Sequence, residues 1–161
     1  MFRKEWYLLL VLVAFVGCGK KSADEKNFTV VDSDDPKMKA AIEKARSTVG
    51  TFTTALKSSK TGQSAFTVKM EIDDGSSKEH MWLNEVTFDG LRFRGRINNE
   101  PQMVKNVKMG DRKVIEATRI SDWMYIQNRK LVGGYTLRVL RDAMPDSERA
   151  EFDKSMPFTI E

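Results

Sequence analysis

The residues call for an α+β domain: an antiparallel, strongly curled sheet of about five to six strands, with one N-terminal helix and two short C-terminal helices. Three observations lead there. Between residues 36 and 57, Met38, Ala41, Ile42, Ala45, Val49, Phe52 and Leu56 recur at three- and four-residue spacings, one apolar stripe on a helix. Between residues 66 and 97 the period drops to two, as in strands with one buried face. After Gly133 and Gly134 helical spacing returns. Strands in one block with helices at both ends are the pattern of α+β folds.

The helix begins with Asp35 as N-cap and Pro36 in the first turn. Gly50 and the threonines at 48, 51, 53 and 54 weaken its second half and predict a bend or break near Gly50. In the first strand Phe66, Val68, Met70 and Ile72 alternate with Thr67, Lys69, Glu71 and Asp73. Residues 73–77, DDGSS, form a turn. The second strand, His80 to Phe88, sets Trp82, Val86 and Phe88 on one face. Asp89-Gly90 is a hairpin signal. The third strand turns Leu91, Phe93 and Ile97 inward and Arg92, Arg94 and Arg96 outward, with Gly95 inward as the mark of a bulge or of a close backbone approach. Two or three more strands follow up to Ile126, with a turn at residues 109–111 and with Trp123 and Tyr125 on one face. Tyr135 to Met144 is a short helix, and Pro145 opens a last one containing Ala150 and Phe152. The apolar end, Met156 to Ile160, packs back onto the domain.

Length and composition narrow the function classes. The chain has 161 residues, 40% hydrophobic and 31% charged, room for one globular domain with one core. Its net charge of +4 is too mild to demand nucleic acid, and none is expected as a partner. One Cys excludes an internal disulfide framework. One His leaves no metal-ligand set, and neither a metal nor any other cofactor is expected.

The N-terminus carries an address. Arg3 and Lys4 precede an uncharged apolar run from Trp6 to Val16, and Gly17 precedes the single Cys18. Such a run falls short of the ~20 residues that span a bilayer, but fits a secretory signal. The pattern resembles a bacterial lipoprotein signal, with Phe15-Val16-Gly17-Cys18 as its lipobox. That resemblance implies a signal peptide over 1–17, cleavage before Cys18, and acyl chains such as palmitate on Cys18. Several chains hold a protein on a membrane where one does not. Residues 18–34 then form the lipidated Cys and a polar tether, and 35–161 the domain. With Gly19 and Lys20 after the Cys, it implies a place in the cell envelope, at the outer membrane facing the periplasm if the host is Gram-negative.

Five segments carry a second resemblance: DDPKMKAAIEKAR (34–46), EHMWLNEV (79–86), KMGDR (108–112), ISDWMYI (120–126) and GGYTLRVLRD (133–142). Together they resemble the YegJ-like family, domain of unknown function 2314, over residues 34–161. The family implies a fold and no established activity, so it supplies no catalytic residues.

Three groups of residues are candidates for function. His80 is a candidate general base because its pKa lies nearest neutrality, although Glu79 beside it points to the opposite strand face. Asp122, Trp123 and Tyr125 stand near the Gly133-Gly134-Tyr135 turn, where backbone N–H groups at a helix start can meet an anion, with Thr136 and Arg138 adding donors. Arg92, Arg94 and Arg96 project from one strand face about 7 Å apart, a spacing that suits a polyanion. The leading expectation is a non-catalytic envelope lipoprotein. It would bind another envelope protein or an anionic glycan through Trp82, Arg92, Arg94, Arg96, Trp123 and Tyr135. The alternative is a periplasmic hydrolase-like enzyme in which His80, Asp122 and Tyr135 meet in a cleft.

Overall fold

The structure is a computed structural model that describes residues 34–58 and 60–161. The expected signal peptide over 1–17, Cys18, and all of the tether but Asp34 lie outside the described residues.

Helix α1, Pro36–Ser47, starts as its sequence requires: the Asp35 carboxylate accepts from the N–H groups of Lys37 at 2.7 Å and Met38 at 3.3 Å. The single N-terminal helix expected from the apolar stripe is two helices. The break falls at Thr48, before α2, Val49–Ser58, and Gly50 sits inside the second helix. At the break the Thr48 hydroxyl donates to the Lys44 carbonyl at 2.6 Å beside the residue's own N–H at 3.1 Å, a back-bond that bends helices.

Strands β1 (Gln63–Asp73), β2 (Lys78–Phe88), β3 (Arg92–Ile97), β4 (Arg112–Glu116), β5 (Asp122–Gln127) and β6 (Lys130–Gly133) form one antiparallel sheet in the order β4-β3-β2-β1-β5-β6. A 3-10 turn, Ala117–Arg119, joins β4 to β5. Helices α3 (Tyr135–Ala143) and α4 (Asp146–Ser155) close the chain. The sheet is open, with β4 and β6 at its two ends, which corrects the strongly curled half-barrel expected from the sequence. Partners on both faces supply the core, so the sheet has no need to roll upon itself. On one face Phe52, Ala45 and Ala55 of α1 and α2 pack on Val68, Leu83, Phe93, Ile115, Trp123 and Tyr125. On the other, Leu137, Phe158 and Ile160 pack on Trp82, Met124 and Leu131. The loop between β3 and β4 adds Val104 and Val107 over Ile72, Met81 and Ile97.

Phe52 is the hub, with ring centroids 5.8 Å from Phe66, 5.6 Å from Phe93 and 5.6 Å from Trp123. Two expectations of facing are corrected. Trp82 does not share a face with Val86 and Phe88, because β2 carries a bulge between Asn84 and Thr87, with Glu85 at φ +50°. The extra residue shifts the alternation, so Leu83 and Val86 share a face and Trp82 takes the opposite one. Leu91 lies in the turn ahead of β3 and is 77% exposed, not inward. Gly95 behaves as its inward position predicts: a Cβ there would lie 2.7 Å from the Asn84 carbonyl oxygen.

Candidate functional site

Two regions gather the chemistry-bearing side chains: a buried polar cluster under α3 and the open half of the sheet.

The buried cluster is set by strand register. Lys69 of β1 stands opposite Asp122 of β5 and opposite Trp82 of β2, and Glu71 stands opposite His80. All project from the face that α3 meets. Asp122 is fully buried. Its carboxylate accepts from the N–H groups of Trp123 at 2.8 Å, Tyr135 at 3.2 Å and Thr136 at 2.8 Å, and from the Thr136 hydroxyl at 2.6 Å. The helix's own N-cap residue is Gly134, in the left-handed region and without a side chain to cap with. Asp122 therefore caps α3 from a neighbouring strand, where the free N–H groups and the helix dipole favour a carboxylate. The anion site expected at the glycine pair exists, and the protein's own Asp122 occupies it. Arg138 holds the same turn by donating to the carbonyls of Gly133 at 3.1 Å and Leu131 at 3.0 Å.

Lys69 is 4% exposed, and its ammonium donates to the Thr136 hydroxyl at 3.3 Å and lies 5.3 Å from the Trp82 ring centre. Burial lowers its pKa, and Asp122 pulls it back up. Burial raises that of Asp122, against the Thr136 hydrogen bond and the Lys69 charge. Each group thus opposes the effect of burial on the other, and the Thr136 hydroxyl links them, donating to Asp122 and accepting from Lys69.

His80 sits at the rim. Its Nδ1 lies 2.9 Å from the Ser121 hydroxyl and its Nε2 lies 3.8 Å from the Glu71 carboxylate. Burial, and then the Lys69 charge, bring its pKa down to about 4 against the opposing pull of Glu71, so the ring is neutral at pH 7. The order carboxylate, imidazole, hydroxyl is that of a hydrolytic relay. Ser121, however, is only 2% exposed, which leaves its hydroxyl out of a substrate's reach.

A pH dependence follows. Between pH 6.5 and about 4 the unfolded chain binds a proton on His80 that the folded chain excludes. Stability is therefore expected to fall as pH drops through that window, by up to ~3 kcal/mol, and to owe nothing to His80 above it. Denaturant unfolding at pH 7 and pH 4.5 should show a smaller difference for His80→Gln than for wild type. Equal differences would contradict the assignment.

The trio His80, Asp122 and Tyr135 does not meet. Strand β1 separates His80 from Asp122, whose carboxylate is engaged by four donors. Tyr135 gives Asp122 only its backbone N–H. Its hydroxyl lies 3.2 Å from that of Thr48 and its ring stands edge-on to Trp123. Glu79, as its strand position predicts, faces away from His80. It accepts from the N–H groups of Gln102, Met103 and Val104 and pins the loop between β3 and β4 to the sheet. Lys69 is not legible as a buried group in the sequence, because polar residues alternating along a strand look like a solvated face. Only the folded chain shows Lys69 4% exposed beneath Thr136 of α3.

The open half of the sheet lies beside this cluster. Arg92, Arg94 and Arg96 of β3 and Arg112, Val114 and Glu116 of β4 share the face that α3 and the C-terminal segment leave uncovered. Arg94 pairs with Asp89 at 2.9 Å, Arg92 approaches the same carboxylate at 3.5 Å, and Arg96 pairs with Glu85 at 2.9 Å. Val114 is 51% exposed in the middle. Of the expected binding residues, the structure brings only the three arginines together at the surface. Trp82 and Trp123 are core side chains, 3% and 1% exposed, and Tyr135 is half-buried against Trp123.

A shallow hollow of about 490 Å³ beside α2, lined by Thr51, Thr54, Lys60, Gln63 and Tyr125 among others, gathers no titratable cluster. Among the described residues no three His, Cys, Asp or Glu side chains converge as metal ligands, and no helix is long and apolar enough to cross a membrane.

Comparison with known proteins places this arrangement. The profile of a family described as "Uncharacterized protein conserved in bacteria (DUF2314)" matches residues 35–159. Over 150 residues the chain is 35% identical to the uncharacterized protein YegJ of Escherichia coli K12, covering 92% of this chain and 95% of that protein. Over 81 residues it is 41% identical to a putative ankyrin repeat protein of Neisseria meningitidis serogroup B, covering 50% of this chain but 32% of that protein. The chain thus matches about a third of the length of the meningococcal relative. No solved structure matches it.

Proposed function

The chain belongs to the DUF2314 family of uncharacterized bacterial proteins, and on that premise we propose that it is a lipid-tethered, non-catalytic domain of the bacterial envelope that binds a partner protein through the open half of its sheet. The observation that carries this reading is the exposed Val114 on an uncovered sheet face among Arg92, Arg94, Arg96 and Arg112. Arginine around an apolar centre is the composition of protein interfaces, where lysine is depleted. Asp89, Glu85 and Glu116 nearly balance the arginines, so the face suits a partner that mixes acidic and apolar groups better than a uniform polyanion such as an acidic glycan. Exposed ion pairs contribute at most about 1 kcal/mol each, and a partner's carboxylates can exchange for Asp89 and Glu85 at little cost. The tether is Cys18, acylated after cleavage of residues 1–17. It would hold the domain at the membrane, facing the periplasm in a Gram-negative host.

Immobilised protein should capture its partner from detergent-solubilised envelope. Arg92→Ser, Arg94→Ser and Arg96→Ser together should lower that capture at least about tenfold while leaving the thermal midpoint near wild type, since none of the three is buried. Unchanged capture would remove the open face from this reading.

A further inference from the structure

We propose that the chain forms a two-fold homodimer in which β4 pairs antiparallel with β4 of a second copy and the sheet runs on across the boundary. This goes beyond the binding role of the open face and does not depend on it.

Strand β4 ends the sheet. The bonds along its inner side come from odd-numbered residues: Ala117 N–H donates to the Leu91 carbonyl at 2.9 Å, and Ile97 N–H to the Asp111 carbonyl at 2.9 Å, both in the register that sets Arg92 opposite Glu116. An antiparallel ladder alternates, so the N–H and C=O groups of Arg112, Val114 and Glu116 point away from β3. Among the described residues nothing pairs with them. The other end of the sheet is closed: Leu131 N–H donates to the Thr159 carbonyl at 2.9 Å and Thr159 N–H to the Arg129 carbonyl at 2.8 Å. Edge strands are ordinarily blunted by short length, charged side chains, proline or a bulge, and β4 has five residues and three charges. The sequence RKVIE has no proline and its pairing with β3 is unbroken.

Two copies of this strand complement each other about Val114. Val114 faces Val114, Arg112 faces Glu116 of the second copy, and Glu116 faces its Arg112. The same three residues carry the outward backbone groups, so hydrogen-bond phase and charge pairing select one register. A slip of two residues would set Arg112 against Val114 and lose the ion pairs. Neither Arg112 nor Glu116 has an ion-pair partner among the described residues, whereas Arg92, Arg94 and Arg96 do. On the opposite face Lys113 meets Ile115 of the second copy and can lay its stem across it while its ammonium reaches water. A two-fold axis perpendicular to the sheet keeps the arginine faces of both copies on one side, as one continuous surface.

Sedimentation of the full chain tests this. Wild type should be a dimer. Glu116→Arg or Arg112→Glu alone sets like charges opposite each other and should weaken association at least about tenfold. Arg112→Glu combined with Glu116→Arg restores the complement and should recover it. Val114→Pro removes an N–H that points out of the sheet, so it should give a monomer with an unchanged circular dichroism spectrum. In a Cys18→Ala background, Val114→Cys should oxidise to a disulfide-linked dimer, while Lys130→Cys at the closed edge should not. A monomeric wild type, or association that Val114→Pro and both charge reversals leave unchanged, would overturn the proposal. Failure here would show in oligomeric state, and failure of the binding face in partner capture.

Discussion

Asp122→Ala is expected to destabilise the domain by about 3–5 kcal/mol, the range for breaking a buried charge pair by removing one partner. The thermal midpoint should fall by roughly 10–20 °C for a domain of this size. The variant would lose the carboxylate that satisfies Trp123, Tyr135 and Thr136, and would strand Lys69 in a site where it is 4% exposed. The stranded charge accounts for most of the loss, which makes the assignment testable by a second substitution. Adding Lys69→Met should recover a large part of the stability, because an unbranched apolar chain suits the space between Trp82 and Thr136. Thermal melts of the two single variants and the double variant form the cycle. A loss below about 1 kcal/mol for Asp122→Ala, or losses that simply add, would show that the pair is not coupled.

Gly133→Ala is expected to cost about 3–5 kcal/mol through two separate effects. Gly133 has φ +75°, where a side chain costs roughly 1–2 kcal/mol. A Cβ there would also lie 2.3 Å from the Trp123 carbonyl oxygen and 2.5 Å from its ring. That ring cannot yield: it stacks on Tyr125 at 6.2 Å, and its indole N–H donates to the Ala45 carbonyl at 2.9 Å. Overpacking of a fixed core group adds roughly 1–3 kcal/mol. Gly75→Ala isolates the first effect, since Gly75 has φ +86° with nothing within 4 Å of its Cβ position. Denaturant midpoints should place Gly133→Ala well below Gly75→Ala. Equal midpoints would mean that Trp123 moves aside.

Much of this arrangement is legible in the residues themselves. The alternation of Phe66, Val68, Met70 and Ile72, the Asp89-Gly90 hairpin, the Asp35-Pro36 helix start and the return of helical spacing after Gly134 place most of the elements. What escapes the sequence depends on hydrogen bonds that local pattern does not encode. The first helix ends at Thr48, where the hydroxyl back-bonds to Lys44, two residues before the glycine that looks like the breaker. The bulge at Glu85 reverses the alternation, so Trp82 goes to the second core and cannot serve as a surface anchor. The curled sheet fails for a related reason: strand pattern reports that a face is buried but not what buries it. For the candidate site, the arginine alternation is legible because each residue's face depends only on β3. The pairing of Lys69 with Asp122 depends on the register between β1 and β5, which only the folded chain reveals.

The measurement to make is cross-linking in cells of three forms: the wild-type chain, Cys18→Ala, and the triple variant Arg92→Ser, Arg94→Ser, Arg96→Ser. A tethered binding domain predicts one reproducible envelope protein joined to the wild type. That product should be lost when the anchor is removed and lost again when the arginines are replaced at the membrane. The same product from all three forms, or none from the wild type, would contradict it.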